Sequence, residues 1–252
     1  MRTPLIKIYG ERHTGTNYLH RLMVRNFNVR LLPGSVPLLI WSLFPNREYI
    51  RDGYMRLASP FTLGWKHALV DQKRLARNPL CRLGNVRFLT LTKNPYAWLL
   101  SLYRRPFHTF QRSHTFKTFL ETPWQPLGRE QVPGLFPSPI AMWNEKNAAL
   151  LRLSEAGPTI NLTYEALVAD PQGTCERLKD TFELTQTAAF FSNIEVSTTE
   201  QGSEKNYTYY KRYYEQAHWQ ADLDDDALWM INEQLDPAVM QRFSYSFFPR
   251  AQ

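Results

Sequence analysis

The stretch Leu5-Ile6-Lys7-Ile8-Tyr9-Gly10-Glu11-Arg12-His13-Thr14-Gly15-Thr16-Asn17-Tyr18-Leu19 constrains the fold more than any other part of the chain. Leu5, Ile6 and Ile8 give a short apolar strand that Gly10 ends. Leu19, Leu22 and Met23 then share one face of a helix that opens at Thr14-Gly15-Thr16. Strand, glycine-bearing loop and helix N-terminus in succession cradle an anion, because free backbone N–H groups and the positive end of the helix dipole meet there. Gly15 lets the backbone approach such a ligand closely, and Thr14 and Thr16 bring hydroxyl donors. Gly10 and Gly15 keep the glycine interval of G-x-x-x-x-G-K-[ST], but Thr16 stands where the Lys belongs and Asn17 where the Mg²⁺-binding hydroxyl belongs. A nucleoside-triphosphate phosphoryl-transfer site without either is poorly equipped. The cations, Arg12 and His13, come before the Thr-Gly-Thr instead.

The remaining elements alternate in type. Residues 29–32 and 61–68 read as further extended segments, with irregular structure from Pro33-Gly34 to about residue 62. Val86–Thr92 is the clearest strand, β-branched and apolar, and is expected at the sheet centre; Thr159–Thr163 is another. Helices are predicted over residues 71–77, 96–104 and 140–154, from Asp170-Pro171 to about Phe182, and over 225–234. This alternation predicts an α/β fold, three layers α/β/α around a mainly parallel sheet, with ligand loops at the carboxyl ends of the strands. The 252 residues fit one domain, in which residues 104–145, rich in Pro and aromatics, form an insertion on the acceptor side.

Charge is unevenly spread. Residues 1–112 hold 19 Lys+Arg against four Asp+Glu, and the rest hold 11 against 19. An N-terminal half of that sign suits an anionic ligand: a multiply charged nucleotide, or nucleic acid. Cys81 and Cys175 lie far apart without metal-ligand spacing, which fits a reduced, cytoplasmic setting. The longest apolar run, residues 36–44, is too short to span a bilayer.

The first loop resembles the 5′-phosphosulfate loop of sulfotransferases, in which a basic residue precedes [ST]-G-[TS]-[TSN]. These enzymes use 3′-phosphoadenosine 5′-phosphosulfate (PAPS) and release 3′,5′-bisphosphoadenosine (PAP). Leu91-Thr92-Lys93-Asn94-Pro95 through Ser101 is similar to the family's 3′-phosphate motif, where an Arg at a strand end and a Ser eight residues later grip the phosphate. Lys93 and Ser101 keep that interval, with Lys in place of Arg. Thr163-Tyr164-Glu165-Ala166-Leu167 with Asp170-Pro171 looks like the Y-E-D-L-x-x-D-P segment, so the resemblance implies that Tyr164 and Tyr18 flank the adenine. Gly64-Trp65-Lys66-His67 matches the region that carries a Lys and a catalytic His.

By that resemblance His67 is the general base and Lys66 the alternative site residue. Strand alternation would turn only one of this adjacent pair into the site. Arg12, His13 and the Thr14–Thr16 loop would neutralise charge on the transferring group. Lys211 or Arg212, in a Tyr- and Lys-bearing C-terminal loop, would complete the 3′-phosphate site, with Lys205 as competitor; no Gly follows them as it does in relatives.

The resemblance implies a P-loop-like sulfotransferase fold and transfer of a sulfuryl group from PAPS to an acceptor hydroxyl or amine, without a metal, nucleic acid or membrane span. Tyr103, Phe107, Phe110, Trp124 and Trp143 permit stacking on sugar rings, which favours a carbohydrate acceptor. The rivals are a P-loop kinase, disfavoured by Thr16 and Asn17, and a non-catalytic nucleic-acid-binding protein, suggested by the basic half.

Overall fold

A computed structural model describes residues 3–83, 86–107, 113–196 and 205–249. Among these, four strands form one sheet: β1 (Leu5–Gly10), β2 (Arg30–Leu31), β3 (Val86–Thr92) and β4 (Thr159–Thr163), in the order β2-β1-β3-β4 and all parallel. The helices are α1 (Thr16–Asn26), α2 (Leu38–Leu43), α3 (Glu48–Thr62), α4 (Gln72–Ala76), α5 (Pro79–Arg82), α6 (Pro95–Arg104), α7 (Phe116–Glu121), α8 (Pro139–Leu151), α9 (Tyr164–Ala169), α10 (Pro171–Phe182), α11 (Tyr207–Glu215), α12 (Asp225–Gln234) and α13 (Pro237–Arg242). None of them is long and apolar enough to cross a membrane.

Period-two alternation sorts the strands onto two helical layers. Ile6, Ile8, Leu89 and Leu91 pack with Leu19, Leu22 and Met23 of α1 and Leu178 and Phe182 of α10. Tyr9, Val86 and Phe88 point the other way, onto Leu75 of α4 and Ala149 and Leu150 of α8. The register agrees, with Ile8 opposite Leu89 and Lys7 opposite Phe88. Both faces are covered, so the α/β expectation holds, with three layers. A separate cluster gathers α6, α7, α8, α12 and α13 around Trp98, Trp143 and Ile231.

The chain leaves β1 to pair β2 on one side and later β3 on the other, so the strand order reverses at β1. A crevice opens at such a switch point, beyond the carboxyl ends of the two strands. Pro95 at the first position of α6, capped by Asn94, turns the chain out of β3 just there.

One residue of β1 departs from the apolar pattern. Lys7 is fully buried, and its ammonium donates to the carbonyls of Pro33 (2.7 Å), Thr62 (2.8 Å) and Gly64 (2.5 Å). Tyr9 donates to the Leu63 carbonyl (2.5 Å). The two side chains moor the C-terminus of α3 to the sheet, and residues 64–67 therefore lie beside the end of β1.

Three segments differ from expectation. Residues 61–68 are not a strand: Phe61 and Thr62 end α3, Leu63 is left-handed (φ 60°), and the chain then turns. The irregular stretch before it contains α2 and α3, and α3 carries Gly53 and Pro60 within its length. Residues 207–215 are a helix rather than a loop.

Candidate active site

The loop between β1 and α1 divides two cavities. Its start is tied down at Gly10, whose N–H donates to the Lys66 carbonyl (2.9 Å) and whose carbonyl accepts from His67 Nδ1 (2.5 Å). A Cβ on Gly10 would come within 2.4 Å of the Leu91 carbonyl oxygen, so the ends of β1 and β3 meet only because this residue is glycine. Gly15 is left-handed (φ 84°), and a Cβ there would stand 2.4 Å from the Tyr164 ring. No side chain caps α1, which leaves its first-turn N–H groups for a ligand. The donors of Thr14 are engaged inside the loop: its N–H and its hydroxyl both donate to the Glu11 carbonyl (3.3 and 2.6 Å), closing the turn. Thr16 is buried but lines the second cavity, beside Asn17.

The first cavity, about 240 Å³, is lined by Tyr18, Lys93, Ser101, Tyr164 and Tyr214 among others. Lys93 directly follows β3, and Ser101 stands two turns along α6, as the eight-residue interval predicts. The ammonium donates to Ser101 Oγ (2.8 Å), which donates on to the Ala97 carbonyl (2.8 Å). It also sits 4.7 Å from the Tyr214 ring centre and 5.7 Å from that of Tyr164. Burial pulls the Lys93 pKa down to about 7, against the attraction of Glu165. The Tyr18 ring stacks on Tyr207 (6.3 Å), and its hydroxyl donates to Asn193 (2.7 Å). Tyr164 packs edge-on to Tyr214 (4.9 Å) over Gly15.

The second cavity, about 360 Å³, is lined by Arg12, Lys66, His67, Trp41, Trp65 and Arg129 with others. Lys66 and His67 occupy a turn and not a strand, so alternation does not apply and both face this cavity. Because Nδ1 of His67 donates to the Gly10 carbonyl, Nε2 carries the lone pair. Burial, then the charges of Lys66 and Arg12, hold this imidazole well below the usual histidine range, so it is neutral. Lys66 donates to Asn17 Oδ1 (2.6 Å), and burial lowers its pKa to about 8.

His13 borders both cavities with Gly15. It is left-handed (φ 65°), stacks on Phe107 (4.8 Å) and donates from Nε2 to the Arg105 carbonyl (3.0 Å). Burial lowers its pKa to about 4. It therefore brings no positive charge at neutral pH, contrary to its reading as a cation of the loop. Arg12 does bring charge; its guanidinium lies over Trp65 (4.8 Å), beside that of Arg129 (4.7 Å).

A buried network underlies Arg12 and His67. Lys146, on the inner face of α8, ion-pairs with both Glu11 and Glu130 and donates to the His67 carbonyl (3.0 Å). Glu130 reaches Arg12 (3.5 Å), and Lys146 and Arg12 hold its carboxyl below the usual range against the effect of burial. Two carboxylates and two cations balance, which makes their burial tolerable. Sequence reasoning missed Glu11, Glu130 and Lys146. The available signal was Lys146 itself, a lone cation between Trp143 and Leu150 on the buried face of α8.

Two expectations are corrected. Lys211 pairs with Glu215 (3.7 Å) and Arg212 with Gln216 (3.4 Å) along α11, and neither borders the first cavity; Lys205, Arg104 and Arg105 do. Trp124 and Trp143 are core residues, and Tyr103 packs on Phe116 and Phe119, so these rings do not offer a stacking surface. Of that set Phe107 borders the second cavity, and Phe110 lies outside the described residues. The aromatics of that cavity are Trp41, Trp65 and Phe107.

No protein-family model matches the chain, nor does any curated protein sequence. Among solved structures, the chain is similar to the sulfotransferase domain from the curacin biosynthetic pathway, at 11% identity and TM-score 0.47 over 98% of this chain and 99% of that one. It is also similar to a sulfotransferase from Alicyclobacillus acidocaldarius, at 16% identity and TM-score 0.45 over 96% and 100%.

Proposed function

We propose that the chain is a PAPS-dependent sulfotransferase acting on an acceptor hydroxyl or amine. The observation that carries this reading is the division of labour across one loop. A buried Lys–Ser pair between tyrosine rings lies on one side, and a neutral histidine with a bare Nε2 lies on the other. A buried ammonium that faces a cavity with one hydroxyl partner suits a phosphate. Lys93 and Ser101 would hold the 3′-phosphate, Tyr18 and Tyr164 the adenine, and the first-turn amides of α1 with Arg12 the 5′ end. Bound PAPS supplies the activated sulfuryl group.

The chain's own residues then do three things. Arg12 and the α1 dipole stabilise the negative charge that builds at the 5′-phosphate side. His67 Nε2 takes the acceptor proton, while Nδ1–H on Gly10 fixes the tautomer. Burial, then the charges of Lys66 and Arg12, depresses the His67 pKa, and those two charges are the groups an anionic donor would engage. Anion binding would offset the part of the depression that those charges cause and leave the part due to burial. Trp41 and Phe107 border the acceptor cavity with exposed ring surface, in keeping with a carbohydrate ring. The two cysteines are free thiols, in keeping with a cytoplasmic setting.

Calorimetry tests the reading. PAP should bind at least tenfold more tightly than adenosine 5′-phosphate, since one charge-assisted phosphate bond is worth roughly 1.5–3 kcal/mol. Equal affinities would remove the 3′-phosphate assignment and with it the PAPS reading.

A further inference from the structure

The second cavity opens beside a surface that the proposed reaction does not use. Helix α2 has no buried residue, and Leu38, Leu39 and Leu43 are 86%, 67% and 61% exposed. Only Ile40 of α2 packs inward, with Val36, Met55 and Trp65. The outer stripe of α3 continues the apolar surface through Tyr49, Leu57 and Phe61, spaced at helical intervals. The two helices are joined at Arg51, whose guanidinium lies 3.4 Å from the centre of the Trp41 ring. Isolated exposed leucines are ordinary; a row of them across adjacent helices is an interaction surface.

The charge around this row says what covers it. From Leu38 to Leu83 the chain holds eight Lys+Arg and three Asp+Glu. All three acids are occupied: Glu48 by Arg51 and Arg129, Asp52 by Arg129, and Asp71 as the cap of α4. Arg47, Arg56, Lys73, Arg74, Arg77 and Arg82 are exposed. Arg74 donates to Ser59 (3.3 Å) and Asn78 to the Pro60 carbonyl (3.0 Å), which keeps α4 and its cations against the end of α3. Exposed leucines and aromatics framed by uncompensated arginines match an interfacial lipid-binding face.

We propose that α2 and the outer face of α3 dock on an anionic bilayer surface. Trp41 is half-exposed and also borders the second cavity, so docking turns the mouth of that cavity toward the headgroups. If the reading of that cavity as the acceptor site holds, its acceptors are displayed at a membrane. The docking itself does not depend on that reading.

The test is co-sedimentation of the full chain with vesicles of phosphatidylcholine alone or with about one-third phosphatidylserine, in low and high salt, with PAP affinity measured alongside as a control for the folded state. Wild type should pellet with the anionic vesicles at least tenfold more than with the neutral ones, and lose this at high salt. The Leu38→Ser/Leu39→Ser/Leu43→Ser variant and the Arg56→Glu/Arg77→Glu variant should each lose at least fivefold, the order expected when even one surface-facing cation worth about 1 kcal/mol is lost. Both should keep the wild-type PAP affinity. Equal pelleting with and without vesicles would overturn the proposal. So would a dimer in solution that the triple serine variant dissolves, which would assign the face to a second copy of the chain. Loss of PAP preference in wild type, with vesicle binding intact, would strike the reaction and not the surface.

Discussion

In the proposed reaction two residues carry the chemistry, and their burial makes each testable. Lys93 has a pKa near 7 in the folded chain against an ordinary value of 10.5, so folding is penalised wherever the unfolded chain holds that proton and the native one does not want it. The penalty is full below about pH 7 and vanishes as pH rises towards 10.5. Lys93→Met should therefore raise Tm, more at pH 6 than at pH 9.5, while PAP affinity falls about 10- to 100-fold through loss of the charged partner. A variant less stable than wild type at pH 6 would contradict the unpaired-ammonium account. Only the protonated form attracts phosphate, so wild-type PAP affinity should decline above pH 7, and binding at pH 8 should take up a proton. Titrations in buffers of different ionisation enthalpy read that proton directly. His67, the proposed base, lines the other cavity. His67→Ala should lower kcat by about 10²–10⁴ with PAP affinity intact, because a general base acts in the transition state. Full activity in that variant would pass the role to Lys66.

At the scale of elements, the loop between β1 and α1 is held by residues far along the chain. Gly15→Ala drives a Cβ into the Tyr164 ring and strains a left-handed backbone. It should abolish PAP binding, and Tyr164→Ala should relieve the clash without restoring affinity; a Gly15→Ala protein that binds PAP normally would rule out this packing. Lys146→Met leaves Glu11 buried without its ion-pair partner and Glu130 with Arg12 alone, and should cost roughly 3–5 kcal/mol in urea unfolding. The double change with Glu11→Gln should recover most of that, because Glu130 keeps Arg12, and failure to recover would mean that Lys146 matters as packing alone.

These elements also show what a sequence reveals. Strands β1, β3 and β4, the Gly10–Gly15 loop and the Lys93–Ser101 pair were legible because each depends on local order: β-branched runs, a glycine needed for close approach, an interval of two helical turns. Residues 61–68 were misread because Phe61, Thr62 and Leu63 have strand character, whereas Lys7 and Tyr9 hold α3 helical up to Thr62 from another element. The tyrosines of α11 looked like a loop because their helix is amphipathic and weakly helix-favouring. Glu130 and Lys146 meet Arg12 and Glu11 across more than a hundred residues, and no local pattern announces such a contact.

For the molecule as a whole, strand order places the crevice and one loop splits it. The loop lacks the Walker lysine and the Mg²⁺-binding hydroxyl, and its charge comes from Arg12, with Lys66 across the second cavity. On the proposed reading, transfer by these groups proceeds without a metal. The most direct measurement is incubation with PAPS and a panel of hydroxyl and amine acceptors in EDTA, followed by mass analysis of the products. Release of PAP matched by an acceptor heavier by one SO₃ group, at a rate Mg²⁺ does not change, is the predicted result. Loss of all turnover in EDTA with rescue by Mg²⁺, or a phosphorylated product from ATP, would contradict it.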